Sequence, residues 1–598
     1  MDFDRKTILA FILIGLIFLL INTSYYQKTF FPEAYKAKQQ REQLAKQYGT
    51  EPEREPEKNV APLRTPKVKK VEPVASKPQQ NQSLQELLLS ESDSKIPEKL
   101  YNIETPLYKA TFSSKGGALV QFQLKKYEGP DGQSVRMFPA KAVGDLVISF
   151  VTPEGDTLDT SFLNFQSSND SLIKLTQNKD QSKLTFQVNF KGGQSIVKEF
   201  VFYNNTYHFD MDVSLLRMGN LIGDKAYFVR APSGLASTEK RLKDDMQYSK
   251  ALISAGDEVV KKGKTNGKVF KETGQINWVA VRTKYFALVI IPVSNKGMYA
   301  EVKGEEIPVD PKNKTSLKKF AISLTMPFIN QNNQTDKFMV YVGPLDYDIV
   351  KKYGVGLEKI MDFGLFLIQP FSKAILWSFK KLHGIIPNYG LVLIIFSIMI
   401  KLIVYPLTHK SYESMRRMQE LQPKLAELKE KYSKDPQRLN KETMKLYKEE
   451  GVNPMGGCLP MLLQMPLLWG LFIVFRSTIE LRGAGFIWWI KDLSMPDTVA
   501  HLPFTIPIYG DSVNILPLLM GATMLVQQKL TVTDPKQKAM VYFMPLFMTL
   551  LFNQFPSGLN LYYTLFNLLS IIQQKWLVPM HKKEAAPVMA DVVRKRKK

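Results

Sequence analysis

The chain has 598 residues, 44% of them hydrophobic and 23% charged, with a formal net charge of +24. Those averages would suit a soluble protein, but apolar runs long enough to span a bilayer gather after Tyr389 and are missing from residues 33–99, which excludes both a plain globular enzyme and a wholly disordered chain. One cysteine, Cys458, excludes an intrachain disulfide or a cysteine-based zinc site, and the positive excess points to anionic partners.

In chain order, Ile8 to Ile21 is an apolar run of 14 residues behind Arg5 and Lys6. That length suits a signal peptide or a short span; Ile21-Asn22-Thr23-Ser24 is a poor cleavage site, and Tyr25-Tyr26 fit an interfacial belt. Residues 1–32 therefore read as an uncleaved transmembrane anchor. Residues 33–99, with Glu51-Pro52-Glu53-Arg54-Glu55-Pro56, cannot bury enough apolar surface to offset their ordering entropy and read as a disordered linker. Period-two alternation in 184–190 and 207–213, with Gly192-Gly193 as a hairpin turn, makes 100–345 a β-sandwich domain. His208 lies on the polar face of its strand and reads as a solvated surface histidine rather than a catalytic one.

Residues 346–388 form an amphipathic interfacial region. Apolar positions 371, 375, 376, 379 and 382 oppose Lys373, Lys380 and Lys381, so the helix lies in the membrane interface or packs on the β domain. Five spans follow within 389–580, at about 389–407, 459–479, 514–530, 539–552 and 558–578. With the anchor they make six transmembrane helices. The 408–455 segment carries 11 Lys/Arg, the 529–538 turn carries Lys529, Lys536 and Lys538, and the 581–598 tail is basic, whereas 481–513 holds only Arg482 and Lys491. The basic face is cytoplasmic, which places both termini in the cytoplasm and residues 22–388 in the periplasm of a bacterial cell.

Searches for chemistry are empty: no HExxH, GxSxG or P-loop, and five scattered histidines without ligand spacing. No cofactor or metal is expected. The informative residue is Lys401, inside the second span, ~10 Å from its cytoplasmic end. No candidate span holds an Asp or Glu, so either Lys401 snorkels to the interface or it faces water in a cavity. Asn560, Thr564, Asn567, Ser570 and Gln574 recur at spacings of 4, 3, 3 and 4 on one face of the last span. Gln464, between Pro460 and Pro466, is polar at membrane depth. These amides glue helices together or wall a groove open to the cytoplasm; with Lys401 the groove is the better account. In 408–455, Met418, Leu421, Leu425, Leu428 and Tyr432 follow a 3-4-3-4 seam, Asp435-Pro436 starts a second helix and Gly451 stops it. The result is an antiparallel cytoplasmic hairpin, a solvated connector or a docking arm on which Arg416 and Arg417 would be presented.

Asn388-Tyr389-Gly390, Tyr405-Pro406-Leu407-Thr408, Asn453-Pro454-Met455-Gly456-Gly457-Cys458, Gln464-Met465-Pro466 and Phe555-Pro556-Ser557-Gly558-Leu559 resemble, in the same order, the YidC membrane-protein insertases. The resemblance covers about residues 355–580, and the anchor, linker and β domain match the Gram-negative layout. It implies a polytopic α-helical inner-membrane protein with a periplasmic β-supersandwich domain. It further implies a hydrophilic groove in the inner-leaflet half of the membrane that receives nascent inner-membrane proteins, alone or with the Sec translocon and ribosome. Lys401, Ser397 and the polar residues named above would line it. The basic tail and hairpin would meet the ribosome, and the positive charge anionic lipids. The family's usual groove residue is arginine; lysine keeps the charge but not the planar fork of donors. The alternatives are a membrane-tethered sugar-binding or sugar-modifying protein, because supersandwich folds also serve carbohydrate enzymes, and a small-solute transporter, which would need paired intramembrane charges or inverted repeats.

Overall fold

The computed structural model describes residues 97–577 except 141, 311–314, 331, 434, 453–458 and 532–537. The anchor, most of the linker and the basic tail lie outside the described residues.

Two sheets form the β domain. The smaller runs in the order 134–136, 118–128, 108–113, 100–104 and 172–174, the last pair parallel. The larger has 13 strands, with 181–189, 195–203 and 208–216 as consecutive antiparallel neighbours at one end. Leu184 stands opposite Phe200, and Phe209 opposite both Phe202 and Val340. The inward residues of the two sheets interdigitate: Phe112 of the small sheet lies 4.7 Å from Phe200 and 5.9 Å from Phe209. Gly193 closes the 189–195 turn at φ +75°, a conformation that favours glycine.

Two charged or polar residues sit otherwise than the strand pattern suggests. Lys198 is on the inward face, fully buried, and its ammonium donates to the carbonyls of Gly116, Gly117 and Leu146 at 3.1, 2.5 and 2.6 Å. Burial pulls its pKa down to about 7. His208 is not freely solvated: Nδ1 lies 3.1 Å from the Tyr353 hydroxyl, the ring packs edge-on against Tyr353, and burial lowers its pKa.

Ten helices complete the described residues: α1 Leu242–Tyr248, α2 Tyr347–Lys351, α3 Gln369–His383, α4 Tyr389–Glu420, α5 Gln422–Lys431, α6 Pro436–Glu449, α7 Leu459–Ser477, α8 Ile515–Thr531, α9 Lys538–Phe552 and α10 Ser557–Ile572. Among the described residues, one segment is long and apolar enough by itself to cross a membrane: Tyr389–Pro406 in α4, with mean hydropathy 2.1; the apolar stretch Val541–Phe552 is shorter. The amphipathic helix α3 packs chiefly on α7 and α4. Its Ile375, Leu376 and Phe379 are buried, whereas Phe371 is exposed. Gly470 of α7 permits the approach, because a Cβ there would lie 3.0 Å from Ile375 and 3.3 Å from Phe371. Lys381 is exposed as its pattern suggests, but Lys380 turns inward to three carboxylates: Asp346 (3.2 Å), Asp348 (2.6 Å) and Glu480 (3.1 Å).

The helical hairpin begins later than the 408 boundary. Residues 408–420 continue α4 without a break, past Pro406, and the turn into α5 falls at Leu421, just before Pro423. Leu421 and Leu425 are buried, while Met418, Leu428 and Tyr432 are half-buried. Asp435 caps α6 by accepting from the Arg438 amide at 3.0 Å, and Gly451 ends it at φ +63°. Lys424 and Glu450, 2.5 Å apart, hold the two helices antiparallel. Arg417 pairs with Glu413 on its own helix.

Candidate functional site

The candidate site lies where α4 crosses α10. Lys401 sits on the inward face of α4 and is 7% exposed. Its ammonium donates to the Ser570 hydroxyl at 2.7 Å, and that hydroxyl donates to the Phe566 carbonyl. The rings of Phe566 and Tyr412 flank the charge, with centroids 4.5 and 5.7 Å away. An ammonium has three donors, and among the described residues one acceptor meets it. Two N–H groups are left for water or for an incoming acceptor.

Two turns further along α4 the polar path continues with residues the spacing rule does not select. Thr408 and Gln573 are both buried, and Gln573 Nε2 donates to Thr408 Oγ1 at 3.1 Å. Residues 573–577 widen into a π-helix, which advances the polar face by a residue. Gln574 consequently turns the other way, its Oε1 accepting from Thr531 at 3.3 Å. The doublet Gln573-Gln574 is the only sequence signal that could have raised Gln573.

The remaining predicted residues are dispersed among neighbours rather than gathered around Lys401. Asn567 donates towards Thr523 and the Met520 carbonyl of α8, at 3.3 and 3.4 Å. Asn560 donates to the Phe552 carbonyl at 3.2 Å and Thr564 to the Asn560 carbonyl at 2.8 Å. Ser397 is buried one turn before Lys401 and donates to the Leu393 carbonyl of its own helix. Gln464 is half-buried on α7, and no hydrogen bond among the described residues joins it to the Lys401 cluster. Asn560 and Asn567 therefore bond to carbonyl or hydroxyl groups at the ends or sides of neighbouring helices, while Lys401 with Ser570 forms a cationic centre in the bundle interior. No cluster of His, Cys, Asp or Glu able to hold a metal occurs among the described residues.

The described residues thus combine a helical bundle holding a buried, under-satisfied cation with a β-sandwich domain. The family described as 60Kd inner membrane protein matches residues 381–584, and the YidC periplasmic domain matches 100–378. A membrane protein insertase YidC of Chlorobium phaeovibrioides is 37% identical over 484 residues, 79% of this chain and 82% of that protein. One from Chloroherpeton thalassium is 36% identical, covering 84% and 87%. A crystal structure of an active YidC insertase with its first transmembrane domain resolved is 20% identical, with a TM-score of 0.34, covering 81% of this chain and 96% of that one. The chain belongs to the YidC family of membrane protein insertases.

Proposed function

We propose that the protein inserts client proteins into the bacterial inner membrane, with Lys401 receiving polar client flanks, and that no covalent bond is made or broken. The supporting observation is the buried ammonium with one protein acceptor among the described residues. A fixed cation with spare donors lowers the cost of bringing a polar or acidic flank into a low-dielectric region. In this reading the chain has six spans and cytoplasmic termini, with the β domain periplasmic. The groove opens on the inner-leaflet half. The hairpin of α5 and α6 and the basic tail meet the ribosome, the Sec translocon shares clients, and anionic lipids balance the positive charge.

The test is insertion of one client carrying neutral or acidic external tails. Lys401→Arg is expected to keep both activities, while Lys401→Ala and Lys401→Glu lose the acidic-tailed client by tenfold or more, about 1.4 kcal/mol. Equal handling of both clients by Lys401→Ala and wild type would remove Lys401 from the mechanism.

A further inference from the structure

Between α7 and α8 the chain forms an antiparallel ribbon, Thr498–Ile506 against Gly510–Asn514, which no amphipathic or spanning pattern announces. Asn553 ties it to the end of α9 by donating to the Ser512 and Tyr509 carbonyls at 2.7 and 3.0 Å, and Gln554 donates to the Ile508 carbonyl at 3.0 Å. Its second strand runs directly into α8. The ribbon is therefore fixed at the level where α8, α9 and α10 end.

Its two sides differ. His501, Thr505 and Asp511 line a cleft of about 980 Å³ shared with the β domain. Val499, Phe504 and Ile508 are not among the lining residues and stand 48%, 61% and 56% exposed. Beside the ribbon, Trp489 donates to Asp497 at 3.0 Å, and the neighbouring Trp488 projects at 77% exposure with φ +52°. That loop is seated on the first turn of α4: a Cβ on Gly390 would fall 2.0 Å from the Phe486 ring. Leu518 and Leu519, near the start of the helix that the ribbon runs into, are also exposed, at 48% and 44%.

Residues 498–510 contain no Lys, Arg, Asp or Glu. A two-stranded ribbon in bulk water protects its edges with such charges. Pro503 and Pro507 lack the amide donors that an added strand from a partner would need. An uncharged apolar side, ill-suited to strand addition and level with the helix ends, matches a lipid surface, and an exposed tryptophan beside it matches the interfacial zone.

We propose that Val499, Phe504 and Ile508, together with Trp488, are sunk into the outer leaflet at the boundary of headgroups and acyl chains, so that the ribbon is a membrane anchor fixing the β-domain cleft just above the bilayer. The inference rests on the proposed topology, which puts 481–513 outside the cytoplasm. Cys458→Ser leaves no native thiol, allowing single cysteines at 488, 499, 504, 508, 505 and 511 of the full chain. Nitroxide labels in phosphatidylethanolamine–phosphatidylglycerol vesicles are read for collision with oxygen and with a water-soluble nickel chelate. The expected result is a several-fold higher oxygen-to-nickel ratio at 488, 499, 504 and 508 than at 505 and 511. Nickel access at all six sites would overturn the proposal. So would shielding of 499, 504 and 508 from both reagents, which would mean that a second copy or another protein covers them. Sidedness is read separately with a membrane-impermeant maleimide on spheroplasts. Asp511→Cys labelled from outside, with water-exposed 504, overturns the anchor alone; labelling only after lysis overturns the topology and the anchor together.

Discussion

Ser570 is the residue on which the state of Lys401 turns. Its hydroxyl is the ammonium's acceptor among the described residues, 2.7 Å away. Ser570→Ala removes one hydrogen bond, worth about 1 kcal/mol or less between membrane helices, and leaves the charge in place. Insertion of acidic-tailed clients is expected to survive it. Ser570→Asp instead places a carboxylate beside the ammonium and cancels the attraction, so it should reproduce the client selectivity of Lys401→Ala while the protein stays folded. Insertion of neutral- and acidic-tailed clients by both variants checks this; normal acidic-tail insertion by Ser570→Asp would count against a charge-based site. The position of Lys401 was legible because a lysine inside an apolar run has few bland explanations. Its partner was legible only in part. Ser570 belongs to the predicted face, but Gln573 does not, because the π-turn breaks the 3.6-residue period on which that face was drawn, and Thr408 lies on another helix, α4.

At the scale of elements, the junction of α2, α3 and the end of α7 carries three carboxylates around Lys380. Glu480 is 8% exposed on its side chain, and its second oxygen finds no hydrogen-bond partner among the described residues. Burial, then the charge of Asp346, raises the Glu480 pKa, although Lys380 works against both. Burial lowers the Lys380 pKa, but Glu480, Asp348 and Asp346 outweigh it and leave the pKa raised. Since the folded state holds a proton on Glu480 more readily than the unfolded state, the stability it contributes is present at low pH and lost as pH rises through its folded pKa. Lys380→Met should therefore cost about 3 kcal/mol at neutral pH, the usual penalty of breaking a buried pair, and less on acidification as Glu480, its pKa raised by burial, takes up its proton. Glu480→Gln should be neutral or stabilising at neutral pH, with the difference shrinking on acidification. Thermal unfolding of both variants in detergent across that range would show it; a pH-independent Lys380→Met defect would remove the ionic explanation. Helical periodicity placed α3 correctly but could not show that one of its lysines faces inward, because that depends on Asp346, Asp348 and Glu480, which lie 34, 32 and 100 residues away in sequence.

For the whole molecule, the question is how far the β domain is separable from the helices. Strand alternation made a sandwich legible, because each buried face repeats every second residue, but it could not show how the sandwich is docked. Arg482 donates to Glu239 at 2.9 Å and to the Thr238 carbonyl, Arg241 donates to the Gln554 carbonyl at 3.2 Å, and Arg476 bonds Gln247. These contacts join α1 and its approach to the ends of α7 and α9. Inside the domain, Arg282 is fully buried and holds the Ile360 carbonyl at 2.7 Å, so residues 357–360 belong structurally to the sandwich's edge. The cut therefore matters. Removing 120–300 would strand 100–113, 315–327 and 333–344 without most of their sheet neighbours and expose unpaired edges. Removing 100–345 as a unit leaves α3 on α7, but it uncovers residues 357–360 and breaks the largely buried Arg482–Glu239 pair, so some loss of stability is expected. The clean deletion, joined by a short polar linker, is expected to accumulate in the membrane and restore client insertion in a depleted strain, whereas the 120–300 deletion accumulates poorly. Pulse-labelled insertion compared at matched protein levels decides it. If the clean deletion is stable and membrane-integrated yet inserts no client, the sandwich has a part in insertion beyond holding its own fold.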